Sequence, residues 1–174
     1  MKYKTILADP PWAEQGGGAV YVRGAQRHYP LMKVTDICDL KVNGNNIAEL
    51  AEDNAHCYLW VTNGFLPSGL KVLEAWGFQY KTMITWAKDR FGLGQYFRGQ
   101  TEQCLFGVRG MLPYKLREDG VRAQGRTLIT APRQEHSKKP EELRCMVELV
   151  SYGPYLELFA RNSIPGWDSW GNEL

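Results

Sequence analysis

The stretch Thr5–Trp12, "TILADPPW", decides how this chain is to be read. Thr5-Ile6-Leu7-Ala8 is a short apolar run of the kind shown by fully buried strands of parallel sheets. Asp9, Pro10 and Pro11 end it abruptly, because proline has no N–H to extend a ladder. Ligands of open α/β sheets bind outside the carboxyl ends of the strands, and Asp9 falls at such an end. A carboxylate beside carbonyls whose direction proline fixes provides two acceptors. Two acceptors suit a primary amino group on an aromatic ring, which offers two N–H donors. Such a nitrogen is a poor nucleophile, since its lone pair is delocalised into the ring. Holding its protons favours a more tetrahedral nitrogen and frees the lone pair, which is catalysis by positioning and electrostatics. Trp12 is then available to stack on the ring. The competing reading is a plain turn with Trp12 in the core, since Asp and Pro are ordinary turn residues. The apolar run before the motif and the aromatic after it favour a site.

Working outward, strands alternate with helices. "CYLWVT" (57–62), "YKTMITWAK" (80–88), "EQCLFGVRG" (102–110), "TLITAP" (127–132) and "YLELF" (155–159) read as strands. Val34–Leu40 reads as a short helix capped at Thr35 or Asp36, and Asn46–Asp53 as an amphipathic helix with Asn46 as N-cap. In "LPSGLKVLEAWGF", Leu70, Leu73, Ala75 and Trp76 form the apolar side, with Gly77 as C-cap. "HSKKPEELRCMVELV" predicts a helix with Pro140 at its first position, Glu141 and Glu142 at the positive end of its dipole, and a stripe of Leu143, Met146, Val147 and Val150. Residues 13–30 and 89–100 are glycine-rich loops carrying arginines and aromatics. Residues 111–125 read as a loop or hairpin, and the tail after Phe159 as loop. The pattern is that of an α/β fold with a mixed or mostly parallel sheet, in one domain spanning residues 1–174.

Composition narrows the function. The net charge of the 174 residues is only +2, so global charge neither favours nor excludes a nucleic acid. Locally, Arg90, Arg98, Arg109, Lys115, Arg117, Arg122, Arg126 and Arg133 crowd the centre of the chain. Cys38, Cys57, Cys104 and Cys145 are scattered without a C-x-x-C pair, which argues against zinc and for reduced, mostly buried thiols. No metal is expected. "EQGGGA" lacks the helix and Lys-Ser/Thr of a phosphate-binding P-loop. The chain enters a strand at once, without a signal peptide or an apolar run near 18 residues, so no membrane association is expected and the location is expected to be cytoplasmic. His28 and His56 read as loop and surface residues, and His136 as no certain base. Trp60, Trp86 and Trp76 read as core.

"ADPPW" resembles the signature of the amino-methyltransferases, the adenine-N6 branch in particular. The rest of the chain is similar to the MT-A70 type, which includes the catalytic subunit of the eukaryotic messenger-RNA adenosine methyltransferase and small bacterial and phage DNA adenine methyltransferases. The matching segments are "HYPLM" (28–32), "CYLWVTNGFL" (57–66), "WGF" (76–78), "ITWAK" (84–88), "EQCLFGVRG" (102–110), "HSKKPEEL" (136–143), "YLELFAR" (155–161) and "WGNEL" (170–174). Each is weak alone; their order and spacing are specific. The resemblance implies a Rossmann-like S-adenosylmethionine-dependent methyltransferase fold with permuted motif order, the catalytic motif preceding the cofactor motifs. It implies Asp9, Pro10, Pro11 and Trp12 as the catalytic motif. It implies S-adenosylmethionine contacts from Asp9, Lys139, Arg161 and Asn172, with Asn162 and Glu173 as looser matches. Tyr29 and Glu102 match residues lining a target-base pocket.

Two departures stand out. Relatives with longer N-termini carry an acidic segment before the catalytic motif that also touches the cofactor. Here only eight residues precede Asp9, so the segment Ile37–Leu40 is expected to cover the cofactor instead. A separate target-recognition module is also lacking. The expected partner is DNA, with RNA as the alternative; a homodimer is left open. The target adenine must be flipped out or single-stranded. Arg23, Arg27, Arg90 and Arg98, interleaved with Tyr and Phe, are the expected strand contacts. A non-catalytic nucleic-acid-binding subunit is the rival from another class, but such partners lose the aspartate and aromatic that are intact here. Cytosine-N4 enzymes more often carry Ser at the place of Asp9.

Overall fold

The computed structural model describes residues 1–13, 31–92, 94, 96–134 and 138–171. Its frame is a seven-stranded sheet. In chain order the elements are β1 (Tyr3–Ala8), α1 (Val34–Cys38), β2 (Lys41–Val42), β3 (Asn45–Asn46), α2 (Ile47–Leu50), β4 (Ala51–Val61), α3 (Leu66–Ala75), β5 (Gln79–Ala87), β6 (Thr101–Arg109), β7 (Leu128–Thr130), α4 (Glu141–Val150), β8 (Tyr155–Leu158) and β9 (Trp167–Trp170). The sheet order is β7-β5-β6-β4-β1-β8-β9, and β2 and β3 form a separate small ribbon. In the seven-stranded sheet β6 runs antiparallel to β4 and β5, while every other neighbouring pair is parallel. The fold is α/β with a mostly parallel sheet, as expected.

β1 is an interior strand between β4 and β8, and its Ile6 and Ala8 are wholly inaccessible. One side of the sheet packs Ile6, Ala8, Leu59 and Leu105 under α1 and α3. The other packs Leu7, Tyr58, Trp60, Trp86 and Cys104 under Leu143 and Val147 of α4. α3 buries Gly69, Val72, Leu73 and, at its C-cap, Trp76, while Leu70 and the C-terminal Ala75 are exposed. The expected stripe is thus rotated. Gly69 sits where a Cβ would collide with Val61 and Leu105, so the helix presses its glycine against the sheet. Gly77 ends the helix with φ +83°, in the left-handed region that glycine adopts freely.

Other expectations are corrected. The helix over 46–53 stops at Leu50: Asn46 and Glu49 form the capping box, but Ala51 pairs with Tyr3 and begins β4. Strand pairing there overrides helical periodicity. α1 has Lys33 as N-cap with no side-chain bond, so Thr35 and Asp36 lie inside it. Pro140 takes the N-cap position of α4 with ψ 136°, one residue earlier than expected. The tail holds β9, which adds parallel to β8. His56 is buried, with its ring nitrogens 2.8 Å from Ser151 Oγ and 2.8 Å from Leu112 O. Trp60, Trp76 and Trp86 are core residues. Cys57 and Cys104 are buried and Cys145 is exposed. Among the described residues, no helix is long and apolar enough to cross a membrane.

Candidate active site

The chain leaves β1 for β4 on one side and returns to β8 on the other, so Asp9 lies at the carboxyl end of the strand where the order reverses. That is the switch point at which open α/β sheets bind ligands. The register then lays a row of side chains across the sheet. Leu7 stands opposite Tyr58, so Asp9, two residues on, continues on the same face beside Trp60. Trp60 pairs with Cys104, two residues from Glu102, and Glu102 pairs with Trp86, two residues from Lys88. Alternate residues share a face. Asp9, Trp60, Glu102, Trp86 and Lys88 therefore line one rim over β1, β4, β6 and β5.

Lys139 arrives from the segment entering α4 and bridges this row. Its Nζ donates to Asp9 Oδ2 at 2.8 Å, lies 3.0 Å from Glu102 Oε1, and sits 5.5 Å from the centre of the Trp60 ring. Lys88 Nζ donates to the other Glu102 oxygen at 2.8 Å and sits 4.5 Å over Trp86. The result is an alternating chain, Asp9–Lys139–Glu102–Lys88, backed by two indoles that favour cations. Burial pushes the Asp9 carboxyl pKa up; the Lys139 ammonium opposes this without fully offsetting it. Burial also acts to raise that of Glu102, but Lys139 and Lys88 outweigh it and hold it below the usual range. Burial disfavours the Lys139 ammonium, yet the two carboxylates hold its pKa above the ordinary value, so it stays charged.

The prolines fix the rest. Pro10 O accepts from Trp12 N at 2.9 Å and Pro11 O from Met32 N at 2.8 Å. A carbonyl has two lone pairs, so Pro10 O, on the residue after Asp9, keeps one for a further donor. Trp12 is corrected as a stacking partner: its ring is buried against Phe65 at 5.4 Å, and its Nε1 donates to Trp60 O at 2.9 Å. The indole braces the Asp-Pro-Pro turn from below.

A cavity of about 280 Å³ opens beside Asp9, with Trp60, Glu157, Phe159, Arg161 and Asn162 among its lining residues. Phe159 has φ +61°, which a bulky residue seldom adopts, and this turn after β8 carries Arg161 and Asn162 to the cavity. Glu157 is held through both oxygens by Arg144 Nη2 at 2.9 Å, and Arg144 lies 4.9 Å over Trp167. Burial raises the Glu157 pKa, with Arg144 opposing.

The structure thus brings Asp9, Pro10, Pro11, Glu102, Lys139, Arg161 and Asn162 to one end of the sheet. Arg90 and Arg98 lie on the exposed loop that follows β5 at this same end. Ile37–Leu40 does not line the cavity, correcting the expectation that it covers a cofactor: Ile37 and Leu40 are buried on the opposite face, and Ile37 O accepts from Trp76 Nε1 at 3.0 Å. Tyr29, Arg23, Arg27, Asn172, Glu173, His28 and His136 lie outside the described residues. Lys88, Glu157, Arg144 and Phe159 were not anticipated. Trp86-x-Lys88 opposite Glu102 is visible only once the β5–β6 register is known. Among the described residues, no group of side chains could hold a metal ion.

This sheet is consistent with a Rossmann-like methyltransferase fold. The MT-A70 family model matches residues 3–173, and the chain belongs to that family. It is a methyltransferase-family chain, similar to the type II methyltransferase M.MunI of a Mycoplasma species, with 29% identity over 99% of this chain and 78% of that protein. It is also similar to the human N(6)-adenosine-methyltransferase catalytic subunit METTL3, with 30% identity over 99% of this chain and 28% of that protein. A putative N(6)-adenosine-methyltransferase of Medicago truncatula matches at 30% identity over 26% of its length. The chain spans most of the Mycoplasma relative but about a quarter of the plant and human ones.

Proposed function

We propose that this chain transfers a methyl group from S-adenosylmethionine to the N6 amino group of adenine in DNA. The observation that carries the reading is the Asp9 carboxylate at the switch point, with Oδ2 taken by Lys139, Pro10 O beside it, and the cavity adjoining. Oδ1 accepts from no described residue, so it and Pro10 O form the acceptor pair that an aromatic amine needs.

The donor set of the cavity suits S-adenosylmethionine. Asp9 and Glu157 supply negative charge for its cationic centres, Arg161 and Asn162 supply donors for its oxygens, and Phe159 supplies an aromatic wall. Bound there, it would supply an electrophilic methyl carbon. Asp9 and Pro10 hold the two amino protons and orient the nitrogen. As the N–C bond formed and the sulfonium's S–C bond broke to leave a thioether, the Asp9 charge would stabilise the ammonium character growing on that nitrogen, and the excess proton would pass to the Asp9 carboxylate or to water. Lys139 favours the ionised form of Asp9 against the upward push of burial.

The base reaches this rim only outside a duplex stack. On the loop after β5, Tyr96 and Phe97 are more than nine-tenths exposed, beside Arg90 and Arg98. Exposed aromatics beside arginines fit a single strand, with bases stacked and phosphates paired. Arg23, Arg27 and Tyr29, outside the described residues, are proposed as further contacts to the strand and base. DNA is favoured over RNA because the chain spans 78% of the Mycoplasma type II methyltransferase but only 28% of the human N(6)-adenosine-methyltransferase catalytic subunit.

The test incubates the protein with labelled S-adenosylmethionine and matched single-stranded DNA, duplex DNA and RNA, then identifies the methylated nucleoside by mass spectrometry. N6-methyldeoxyadenosine is expected. N6-methyladenosine from RNA alone would move the substrate, N4-methylcytosine would overturn the base assignment, and absence of transfer would overturn the activity.

A further inference from the structure

Lys88 ends the "ITWAK" segment, to which the family resemblance gives no role, yet it closes the ion-pair chain at its far end. Three observations converge on it. Its Nζ takes the Glu102 oxygen that Lys139 leaves, at 2.8 Å, with both side chains mostly buried. The Trp86 face beneath it, at 4.5 Å, gives a cation a favourable seat. Its backbone is clamped too, since Lys88 N donates to Gln100 O at 2.8 Å and Gln100 Nε2 donates to Lys88 O at 3.0 Å. This double bond pair closes the base of the loop bearing Arg90, Tyr96, Phe97 and Arg98. Lys88 is thus fixed at both ends of its side chain and belongs at once to the site and to the proposed strand-holding loop.

We propose that Lys88 is a positioning residue for methyl transfer: by holding Glu102 it fixes Lys139 onto a single oxygen of Asp9 and leaves the other for the substrate amine. The inference rests on the proposed adenine-N6 activity. Without Lys88, Glu102 has one ammonium left for both its oxygens. It is then free to turn, and Lys139 follows it away from Asp9. Among the described residues, the charged groups around Glu102 are Lys88 from the end of β5, Lys139 from the approach to α4, and Asp9 just after β1. Losing one of the two cations therefore raises the Glu102 pKa. Glu102 itself, with each oxygen already engaged, serves to hold Lys139 rather than to act on the base.

The experiment compares wild type, Lys88→Met and Lys88→Arg in single-turnover methyl transfer to an adenine-containing oligonucleotide at saturating S-adenosylmethionine. It adds melting temperatures and a ¹³C carboxyl titration of labelled Glu102. Expected are a fall in the transfer rate of about 10-fold in Lys88→Met, a misplacement effect, with oligonucleotide affinity within twofold, partial recovery in Lys88→Arg, and a Glu102 titration moved to higher pH. An unchanged transfer rate would overturn the proposal. So would lost oligonucleotide affinity at an unchanged transfer rate, which would make Lys88 a phosphate contact. If Lys88→Met fails to fold, Lys88→Leu, which also removes the donor to Glu102 while keeping an apolar stem over Trp86, replaces it under the same criteria. A wild type that methylates no adenine overturns the functional reading instead, and the Glu102 titration alone then decides the placement of Lys88.

Discussion

The two ends of the sheet both bury polar groups, and they treat them in opposite ways. At the amino end, His56, Ser151 and Tyr58 form a neutral cluster. Leu112 O can only accept, so His56 Nε2 carries its proton, and His56 Nδ1 accepts from Ser151 Oγ. Ser151 Oγ in turn accepts from Tyr58 OH at 2.8 Å. Every polar atom of the three side chains has a partner. At the carboxyl end, the groups are charged and alternate in sign, no described residue donates to Asp9 Oδ1, and Asp9 lines a cavity. A closed neutral network fixes loops: here it ties the chain after β6 and the end of α4 to β4. An open charged network can bind and polarise. The basic residues divide likewise. Arg117 and Arg122 belong to a small hairpin closed by the Leu116–Arg122 bridge, and Lys115 N bonds Val150 O at the far end of α4. That hairpin lies at the amino end, away from Asp9, so its arginines are remote from the proposed chemistry.

The largest effect should come from breaking the open network at its centre. Lys139→Ala leaves two carboxylates facing each other without their shared cation. Stability should fall by about 3 kcal/mol, the low end for removing one partner of a buried pair since Asp9 keeps some solvent contact. Methyl transfer should fall at least ~10²-fold. Urea unfolding and a transfer assay read both. A stable, active Lys139→Ala would dissolve the distinction between the two ends.

The closed network should cost stability alone. Ser151→Ala strands His56 Nδ1 and the Tyr58 hydroxyl, with an expected loss of about 1–3 kcal/mol. Transfer per folded molecule should stay unchanged, because the change lies at the other end of the sheet. Impaired transfer in folded Ser151→Ala would show that the two ends are coupled.

Acid should sharpen the same contrast. Burial holds the His56 pKa below its ordinary value. The unfolded chain then binds a proton that the folded chain refuses, so stability is full above about pH 6.5 and declines as pH falls below it. His56→Phe should flatten the melting-temperature profile between pH 5 and 7. A slope unchanged by that substitution would place the titration elsewhere.

The smallest effect belongs to the outer loop. Arg90→Ala with Arg98→Ala should leave the melting temperature alone and flatten the salt dependence of oligonucleotide binding by about 0.7–0.9 per lost phosphate contact. Affinity measured across a salt series checks this, and an unaltered slope would route the strand elsewhere.

Much of this was legible in the sequence for local reasons. Apolar runs such as Cys57–Val61 leave little choice but a buried strand, and Asp9-Pro10-Pro11 can hardly continue one. The capping box at Asn46 and Glu49 was partly visible, yet the helix it opens is one turn long because Ala51 is claimed by Tyr3, a residue 48 positions away. β9 escaped notice because four residues after a Pro-Gly turn carry too little periodicity to announce a strand. Trp12 looked like a substrate contact because aromatic type is legible and burial direction is not. Lys88 and Arg144 are ordinary charges until sheet register and helix placement put Glu102 and Glu157 against them. What depends on pairing over distance is written in the sequence only through the fold.

Asp9 is the residue on which the proposed chemistry turns. Single-turnover methyl transfer to adenine should be measured for Asp9→Asn at saturating S-adenosylmethionine, with the melting temperature taken on the same sample. Asn keeps the shape and one acceptor but removes the charge that faces the amine and Lys139. The expected result is a folded protein whose transfer rate is lower by at least ~10²-fold. A folded Asp9→Asn protein that transfers methyl groups at nearly the wild-type rate would contradict the account.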